Sequence, residues 1–200
     1  MNDEPTVFVV DDDAAIRQSL AAMIGALFPR VETYASAAEF LEAFHPDGPG
    51  CLVLDVALPG MSGLELHRKF VAEKIELPVV FITGYGNVPM AVEAMRNGAV
   101  DFLEKPFHEH QLWESVRKAL EVDAQNRRRK ARRREVEERL AVLNAGERDV
   151  LHWMMEGKGN REIAEILKLS VRTIEDRRGR VMRKMETKSL SELIQMVMTH

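Results

Sequence analysis

Carboxylates stand directly after two apolar runs in the first half of the chain, Asp11 and Asp12 after one run and Asp55 after another. A hydroxyl, Thr83, and an ammonium, Lys105, follow two further apolar runs. Clustered carboxylates repel one another unless a cation lies between them, and oxygen ligands of this kind suit Mg²⁺. A hydroxyl and an ammonium opposite the cation can hold a phosphoryl group, which an Asp carboxylate can accept as an acyl phosphate. These residue types therefore predict a phosphoryl site, provided that the fold brings them together.

The elements that would position these side chains alternate along residues 1–122, where short apolar runs are followed by segments of helical periodicity. This alternation predicts a doubly wound α/β domain with a parallel sheet. Ligands bind beyond the carboxyl ends of the strands in such sheets, which is where the polar residues stand. The five predicted strands are Val7–Val10, Arg30–Tyr34, Cys51–Leu54, Pro78–Ile82 and Val100–Leu103.

Local signals place other polar residues in structural roles. Asp13 precedes the apolar positions of the first helix and is expected to cap it. Ser62 and Glu65 have the spacing of a capping box for a helix over Gly63–Glu73. Cys51, the single cysteine, lies within an apolar run and is expected to be a small buried hydrophobe.

Residues 5–122 resemble a response-regulator receiver domain of the CheY type. The resemblance rests on the acidic pair Asp11–Asp12, the run LDVALPGMSG around Asp55, Thr83, and the Lys105-Pro106 dipeptide. It implies a five-stranded sheet with the order 2-1-3-4-5.

The resemblance also implies residue roles at the acidic end of the site. Asp55 is expected to be the phosphoacceptor. Asp12, Asp55 and the backbone carbonyl of Ala57 are expected to ligate Mg²⁺, with Asp11 supporting the metal through water.

Three further residues take roles from the same resemblance. Thr83 and Lys105 are expected to bind the phosphoryl oxygens. Phe102 stands where receivers carry an aromatic switch residue, so Thr83 and Phe102 are expected to repack on phosphorylation. Because Phe102 has no hydroxyl, it can act only by packing.

The net charge of −4 conceals an asymmetry between the two parts of the chain. Residues 1–122 hold 9 Lys or Arg against 19 Asp or Glu, whereas residues 123–200 hold 19 against 13. The division predicts two domains and a polyanionic partner for the basic one. The acidic N-terminus and the lack of a long apolar run predict a cytoplasmic protein with no membrane contact.

Residues 123–142 join these domains and are almost entirely charged over DAQNRRRKARRREVEER. They lack Gly and Pro, so a helix continuing from the receiver is expected. We interpret it as a solvated linker helix in preference to a direct nucleic-acid contact.

Residues 143–200 resemble the LuxR-type helix-turn-helix domain, and the whole chain resembles FixJ-like response regulators. The motifs are NREIA from Asn160, LSVRTIE from Leu169 and RVMRKM from Arg180. The fold expected is a small all-α domain. Its predicted core comprises Ile163, Ile166, Leu167, Leu169, Val171, Ile174, Val181, Met182 and Met185.

Polar residues around the second helix of this motif are the candidates for DNA contact. Arg177 and Arg180 suit phosphate or guanine, and Glu175 can accept a hydrogen bond from cytosine. The complete expected set is Lys168, Arg172, Thr173, Glu175, Arg177 and Arg180.

Three residues depart from the LuxR-type pattern. Gly146 stands where a charged residue is usual, and Arg177 replaces a common His. Gly179 lies inside the recognition helix, where it either permits close approach to DNA or a neighbouring helix or is merely tolerated. The apolar last helix, with Leu190, Leu193, Ile194, Val197 and Met198, is expected to dimerise as it does in the family.

The sequence therefore predicts a two-component response regulator, a phosphoprotein that uses Mg²⁺ and regulates transcription. Its expected partners are a sensor histidine kinase, promoter DNA, a second copy on activation, and RNA polymerase. It is not expected to be an enzyme beyond its own phosphoryl transfer and dephosphorylation.

Two alternatives remain open. One is a phosphohydrolase that uses Asp11 as nucleophile and Asp13 as acid/base, although Ala15 and the lack of a later acidic pair depart from that family. The other is a DNA-binding protein that works independently of phosphorylation.

Overall fold

Within the residues that the computed structural model describes (4–46, 48–84 and 88–198), a βα alternation is followed by helices alone. The strands are β1 (Thr6–Val10), β2 (Val31–Tyr34), β3 (Gly50–Asp55), β4 (Val79–Thr83) and β5 (Asp101–Glu104). The helices between them are α1 (Ala14–Gly25), α2 (Ala37–Ala43), α3 (Gly63–Glu73) and α4 (Val88–Arg96). The remaining helices are α5 (Glu109–Ala141), α6 (Ala145–Met155), α7 (Asn160–Leu167), α8 (Val171–Lys184) and α9 (Leu190–Met198).

All pairs in the sheet are parallel, and the strand order is β2-β1-β3-β4-β5, as predicted. Strands β3 and β4 are buried along their whole length. One face of the sheet packs on Phe40, Leu66 and Phe70, and the other packs on Ile24 and Leu112. Helices therefore cover both faces, which confirms the doubly wound architecture.

The predicted caps form as expected. The carboxylate of Asp13 accepts hydrogen bonds from the backbone of Ala15 and Ile16, and Ser62 and Glu65 form a complete capping box. Cys51 is fully buried.

Helix α5 runs for 33 residues without interruption, so the predicted helical continuation is confirmed. One prediction about its start is wrong, because Asp123 is not solvated but only 4% exposed. Its carboxylate accepts a hydrogen bond from the Gly50 amide at 3.1 Å and pairs with Arg127 at 2.8 Å. Arg127 also donates to the carbonyl of Gly48. The Asp123–Arg127 pair thus fastens α5 to the start of β3.

The chain divides into two compact units, the first ending at Arg127 and the second starting at Arg128. The core of the second unit contains Ile163, Ile174, Val181, Met185 and Leu193. Leu167, Leu169 and Met182 pack against that core while remaining partly exposed.

Two of the residues predicted for this core lie outside it. Ile166 is 42% exposed and Val171 is 38% exposed. The face of α7 that contacts the core carries Ile163, Ala164 and Leu167, and Ile166 falls beyond the edge of that face. Val171 is the first residue of α8, where the side chain is not covered by a preceding turn.

Most of the apolar side chains of helix α9 pack against the core of the second unit. Leu193 is fully buried, and Leu190 and Val197 pack against the core. Ile194 is half-buried and Met198 is 74% exposed. No helix in the described part of the chain has the length and apolar character needed to span a bilayer.

Candidate functional site

Lys105 joins the two buried carboxylates at the carboxyl ends of β1 and β3. Its ammonium donates to Oδ2 of Asp11 at 2.7 Å and to Oδ1 of Asp55 at 3.0 Å. Asp11 is 1% exposed and Asp55 is 5% exposed. The strand order places β1 beside β3, so residues 44 positions apart in the sequence meet at one edge of the sheet.

Backbone groups hold both carboxylates in fixed orientations. The amide of Asp13 donates to the second oxygen of Asp11 at 2.9 Å, and the amide of Ala57 donates to the second oxygen of Asp55 at 2.9 Å. The guanidinium of Arg17 donates to the carbonyls of Asp11 and Asp12 at 2.7 and 2.9 Å. The carboxylates are therefore positioned by the chain itself.

Burial and pairing act in opposite directions on these charges. Burial raises the pKa of the Asp55 carboxyl above its ordinary value, although the hydrogen bond from Lys105 opposes the shift. Burial also acts to lower the pKa of the Lys105 ammonium, but the hydrogen bonds to Asp11 and Asp55 and the negative charges of these two residues together outweigh it, so this pKa is raised. The site thus holds a cation between two carboxylates.

Thr83 ends β4, the strand next to β3, and is 1% exposed. Its carbonyl accepts a hydrogen bond from the backbone of Lys105 at 2.7 Å, which ties the two residues together. The Lys105–Pro106 peptide bond that follows is cis. Asp12 and Ala57 are exposed beside the buried group. All the predicted residues therefore lie at one end of the sheet, with direct side-chain contact among Asp11, Asp55 and Lys105.

The oxygen atoms at this end of the sheet are the candidate ligands for a metal ion. Among residues 4–46, 48–84 and 88–198, no group of three or more His, Cys, Asp or Glu side chains is placed to hold one. Mg²⁺ needs fewer protein ligands, because it commonly keeps several waters and binds through one or two carboxylates. The carboxylates of Asp11 and Asp55, with Asp12 exposed beside them, fit Mg²⁺ by the hardness of their oxygens.

Phe102 lies on β5 behind this site, half-buried. Its ring lies 6.2 Å from the ring of Phe81, and the imidazole of His67 lies edge-on to Phe81 at 5.3 Å. The sequence reading missed His67, which is buried and whose Nδ1 has no hydrogen-bond partner. A movement of the Phe102 ring would therefore be transmitted through Phe81 to His67 on α3.

The helix-turn-helix geometry is present in the second unit. Helix α7 ends at Leu167, its C-cap Lys168 has a left-handed φ of 54°, and Ser170 caps α8 through the amide of Thr173. Lys168, Arg172, Glu175 and Arg180 are exposed, as DNA contacts must be. The hydroxyl of Thr173 lies 2.8 Å from that of Ser170, so it is already engaged within the turn.

Arg177 is placed differently from the other predicted contacts. Its guanidinium covers Gly146, donating to the glycine carbonyl at 3.4 Å. A Cβ on residue 146 would lie 2.6 Å from the guanidinium, so the space left by Gly146 is filled by Arg177. The two departures from the LuxR-type pattern are thus in contact with each other.

Two polar links around α8 were not found from the sequence. Arg178 donates to the side chain of Asn160 at 2.9 Å and so joins α8 to α7. Lys184 donates to Glu147 at 2.6 Å, and this hydrogen bond lowers the pKa of the Glu147 carboxyl. Glu147 also forms a capping box with Asn144 at the start of α6, and its side chain is buried.

Gly179 faces open space inside α8, since a Cβ there would meet no atom within 4 Å. Packing of a neighbouring helix within the unit therefore does not require a glycine. We expect Gly179→Ala to stabilise the second unit by about 0.5–1 kcal/mol, because glycine is a poor helix residue. Denaturant titration followed by hydrogen exchange of peptides from α6–α8 measures this, and a loss of stability would contradict it. A weaker DNA complex in the stabilised variant would assign Gly179 to close approach of DNA.

Family models match both parts of the chain. The response regulator receiver domain matches residues 7–117, and the model described as bacterial regulatory proteins, luxR family, matches residues 141–197. The chain is a response regulator. The predicted family, fold class and function are thereby confirmed, and this response regulator is a two-component transcriptional regulator and not a classical enzyme.

Curated relatives match this response regulator over nearly its whole length. The transcriptional regulatory protein FixJ of Azorhizobium caulinodans is 44% identical over 192 residues, covering 96% of this chain and 91% of FixJ. The response regulator protein TodT of Pseudomonas putida is 36% identical, covering 97% of this chain and 86% of TodT.

Solved structures agree with these matches. The structure of the response regulator StyR matches with a TM-score of 0.88 at 38% identity, covering 98% of this chain and 100% of that one. Full-length FixJ from B. japonicum matches with a TM-score of 0.60 at 38% identity, covering 98% and 96% of the two chains. A receiver domain implies a histidine kinase partner, and a LuxR-type domain implies DNA binding.

Proposed function

We propose that this response regulator takes a phosphoryl group from a histidine kinase onto Asp55 and that the resulting change controls DNA binding by the second unit. The observation that carries the proposal is the contact of Lys105 with both Asp11 and Asp55 at the carboxyl edge of the sheet. A buried nucleophilic carboxylate and a fixed cation are what in-line phosphoryl transfer needs from a protein.

The phosphoryl transfer forms one bond and breaks another. One oxygen of the Asp55 carboxylate attacks the phosphorus of the phosphohistidine, the new O–P bond forms, and the P–N bond breaks. The electron pair of the broken bond stays on the imidazole nitrogen, which takes up a proton. The amide of Ala57 keeps the other oxygen of Asp55 engaged, so the nucleophile is oriented before the donor arrives.

Lys105 and Thr83 would then meet the transferred group. The ammonium already lies 3.0 Å from Asp55 and can shift from the carboxylate to a phosphoryl oxygen. The Thr83 hydroxyl stands at the end of the adjacent strand and can donate to a second oxygen. A shift of Thr83 would open space for Phe102, which is the switch that we assign to this pair.

Receiver domains generally bind Mg²⁺ at their acidic pocket. Here Asp12, Asp55 and the carbonyl of Ala57 would hold it, with Asp11 acting through water. When bound, the metal neutralises the charge of the carboxylates and of the phosphoryl oxygens.

We assign DNA contact to α8 and the turn before it. The exposed cations Lys168, Arg172 and Arg180 suit phosphates or guanine, and Glu175 suits cytosine. Thr173 and Arg177 belong to the same set, but each must leave an internal contact, with Ser170 or Gly146, to reach DNA.

We also propose that phosphorylation brings two copies together, so that two α8 helices occupy half-sites one DNA turn apart. Ile194 and Met198 on α9 supply the apolar surface that remains for this contact. RNA polymerase is the expected partner of the DNA-bound dimer. We place the protein in the cytoplasm, where kinase and DNA would both reach it, and divide it into a receiver (1–122), a linker (123–142) and a DNA-binding domain (143–200).

The test is the affinity of the full-length protein for a duplex selected with it from a random pool. We expect acetyl phosphate with Mg²⁺ to tighten binding by about 5–150-fold, the usual range for coupling between two sites. Fluorescence anisotropy measures the change. An unchanged affinity would overturn the proposal and favour the phosphorylation-independent alternative.

A further inference from the structure

Residues 128–134 of α5, RRKARRR, form the most concentrated charge in the protein, and we call them the basic segment. Six of the seven residues are Lys or Arg, and Ala131 is the exception. All seven are exposed. No face of this part of the helix offers an apolar surface.

The basic segment supplies the entire net positive charge of the second unit. Residues 135–200, which contain the helix-turn-helix, hold 12 Lys or Arg and 12 Asp or Glu, so their formal charge is zero. The six cations of the basic segment raise the unit to +6. Net attraction of this unit to a polyanion therefore depends on a part of the chain outside the helix-turn-helix motif.

Few of these cations are neutralised within the protein. Arg133 pairs with Glu137 at 3.2 Å, where both side chains are more than half exposed. Among the described residues, no ion pair involves Arg128, Lys130, Arg132 or Arg134. Arg128 and Arg132, like Lys130 and Arg134, stand four residues apart, where like charges on a helix repel. A bound polyanion would attract these cations and relieve the repulsion between them.

The basic segment is held close to the recognition helix. Arg139 donates to the carbonyl of Met185 at 2.9 Å and to Glu186 at 2.8 Å, at the end of α8. Leu140 packs against the core of the same unit. The distance along the helix from Arg134 to Arg139 is five residues, or about 7.5 Å. The cations are therefore fixed to the body that carries α8.

We propose that the basic segment binds the phosphate backbone of the duplex beside the site held by α8 and supplies most of the sequence-independent affinity. This inference rests on the proposed DNA-binding function and replaces our interpretation of the linker as merely solvated. Duplex DNA is favoured over an anionic membrane, because a helix that lies on a membrane needs an apolar face and the basic segment has none.

The test compares two full-length variants of equal net charge. The segment variant carries Arg128→Gln, Lys130→Gln, Arg132→Gln and Arg134→Gln, since glutamine keeps the helix propensity. The control variant replaces four cations of the first unit by glutamine: Arg30, Arg68, Lys69 and Lys74. Circular dichroism verifies that both retain their helix content.

The readout is the salt dependence of binding to a non-specific duplex, measured by anisotropy between low and physiological salt. Each phosphate contact contributes about 0.9 to the slope of log K against log salt. We expect the segment variant to lose about 2–4 from the slope and at least tenfold in affinity, while the control variant loses less than 1.

Three results would overturn the inference. Equal losses in both variants would show an effect of net charge alone, and an unchanged slope in the segment variant would show no contact. Binding of the wild type to vesicles containing anionic lipid, lost in the segment variant while the DNA slope is unchanged, would assign the segment to membranes. If the wild-type protein itself binds no duplex, the proposed function fails as well, so the two failures are distinct.

Discussion

Asp55→Asn is expected to abolish phosphorylation of the protein by acetyl phosphate and, with it, the gain in DNA affinity. The asparagine amide has the shape of the carboxylate but is not a nucleophile, and one oxygen can still accept the hydrogen bond from Ala57. Loss of a covalent nucleophile removes the reaction path, so we expect a fall of at least about 100-fold in the labelling rate. Intact-protein mass spectrometry after incubation with acetyl phosphate and Mg²⁺ measures the fraction modified.

Asp13→Asn is the matched control for this prediction. Asp13 lies close to the site in sequence but serves as the N-cap of α1, and asparagine caps a helix equally well. This variant should be phosphorylated at the rate of the wild type. Labelling that persists in Asp55→Asn would place the acceptor elsewhere.

Substitutions at the two strand-end acids Asp11 and Asp55 distinguish the response regulator from the phosphohydrolase alternative. A phosphohydrolase would turn over a small phosphate ester many times, and Asp11→Asn would abolish that turnover while Asp55→Asn spared it. We expect no sustained turnover of such an ester by the wild-type protein, because in the proposed mechanism the phosphoryl group stays on Asp55.

Gly63→Ala is expected to produce the largest loss of stability among single-methyl additions at the site. A Cβ on residue 63 would lie 2.2 Å from the backbone oxygen of Asp55 and 3.1 Å from the side chain of Leu54. Because the first of these atoms is backbone, α3 and the end of β3 must move apart. Overpacking of this kind costs about 1–3 kcal/mol or more, and the movement displaces Asp55 itself. We therefore expect phosphorylation to slow together with the loss of stability.

Denaturant titration with hydrogen exchange of peptides from β1 and β3 measures the stability of the first unit. Gly25→Ala is the control, since a Cβ there meets nothing within 4 Å and the residue ends a helix. It should leave the free energy of unfolding unchanged or raise it by a few tenths of a kcal/mol. Similar losses in the two variants would show that the close approach of Gly63 to Asp55 does not matter.

Much of the site could be predicted because parallel strands bring their carboxyl ends to one edge. Asp11, Asp55 and Lys105 could be grouped for that reason before any distance was known. The contacts themselves could not, since Lys105 follows β5 and its side chain must reach past β4 to the ends of β3 and β1. Asp123 is a residue whose burial could not be predicted. It stands at the start of a charged run, and only the folded chain reveals that the amide of Gly50 and the guanidinium of Arg127 meet its carboxylate.

The helix-turn-helix shows the same difference between what the sequence predicts and what only the folded chain determines. Helical spacing predicted which residues of α7 and α8 are apolar. Spacing does not determine where the buried face ends, which is why Ile166 and Val171 were placed in the core incorrectly. The contact of Arg177 with Gly146 depends on two helices that are far apart in the sequence, so neither residue alone could predict it.

The fastening of α5 by Asp123 and Arg127 has a consequence for how far the receiver can be shortened. The family match ends at residue 117, yet the buried amide of Gly50 finds its acceptor in Asp123. A receiver that ended before Asp123 would leave that amide buried without a partner, at a cost of about 1–3 kcal/mol. The strand that would be weakened is the one whose other end carries Asp55. We therefore expect a receiver cut at residue 122 to be less stable than one that extends to Arg127, because the first turns of the linker helix contribute this contact.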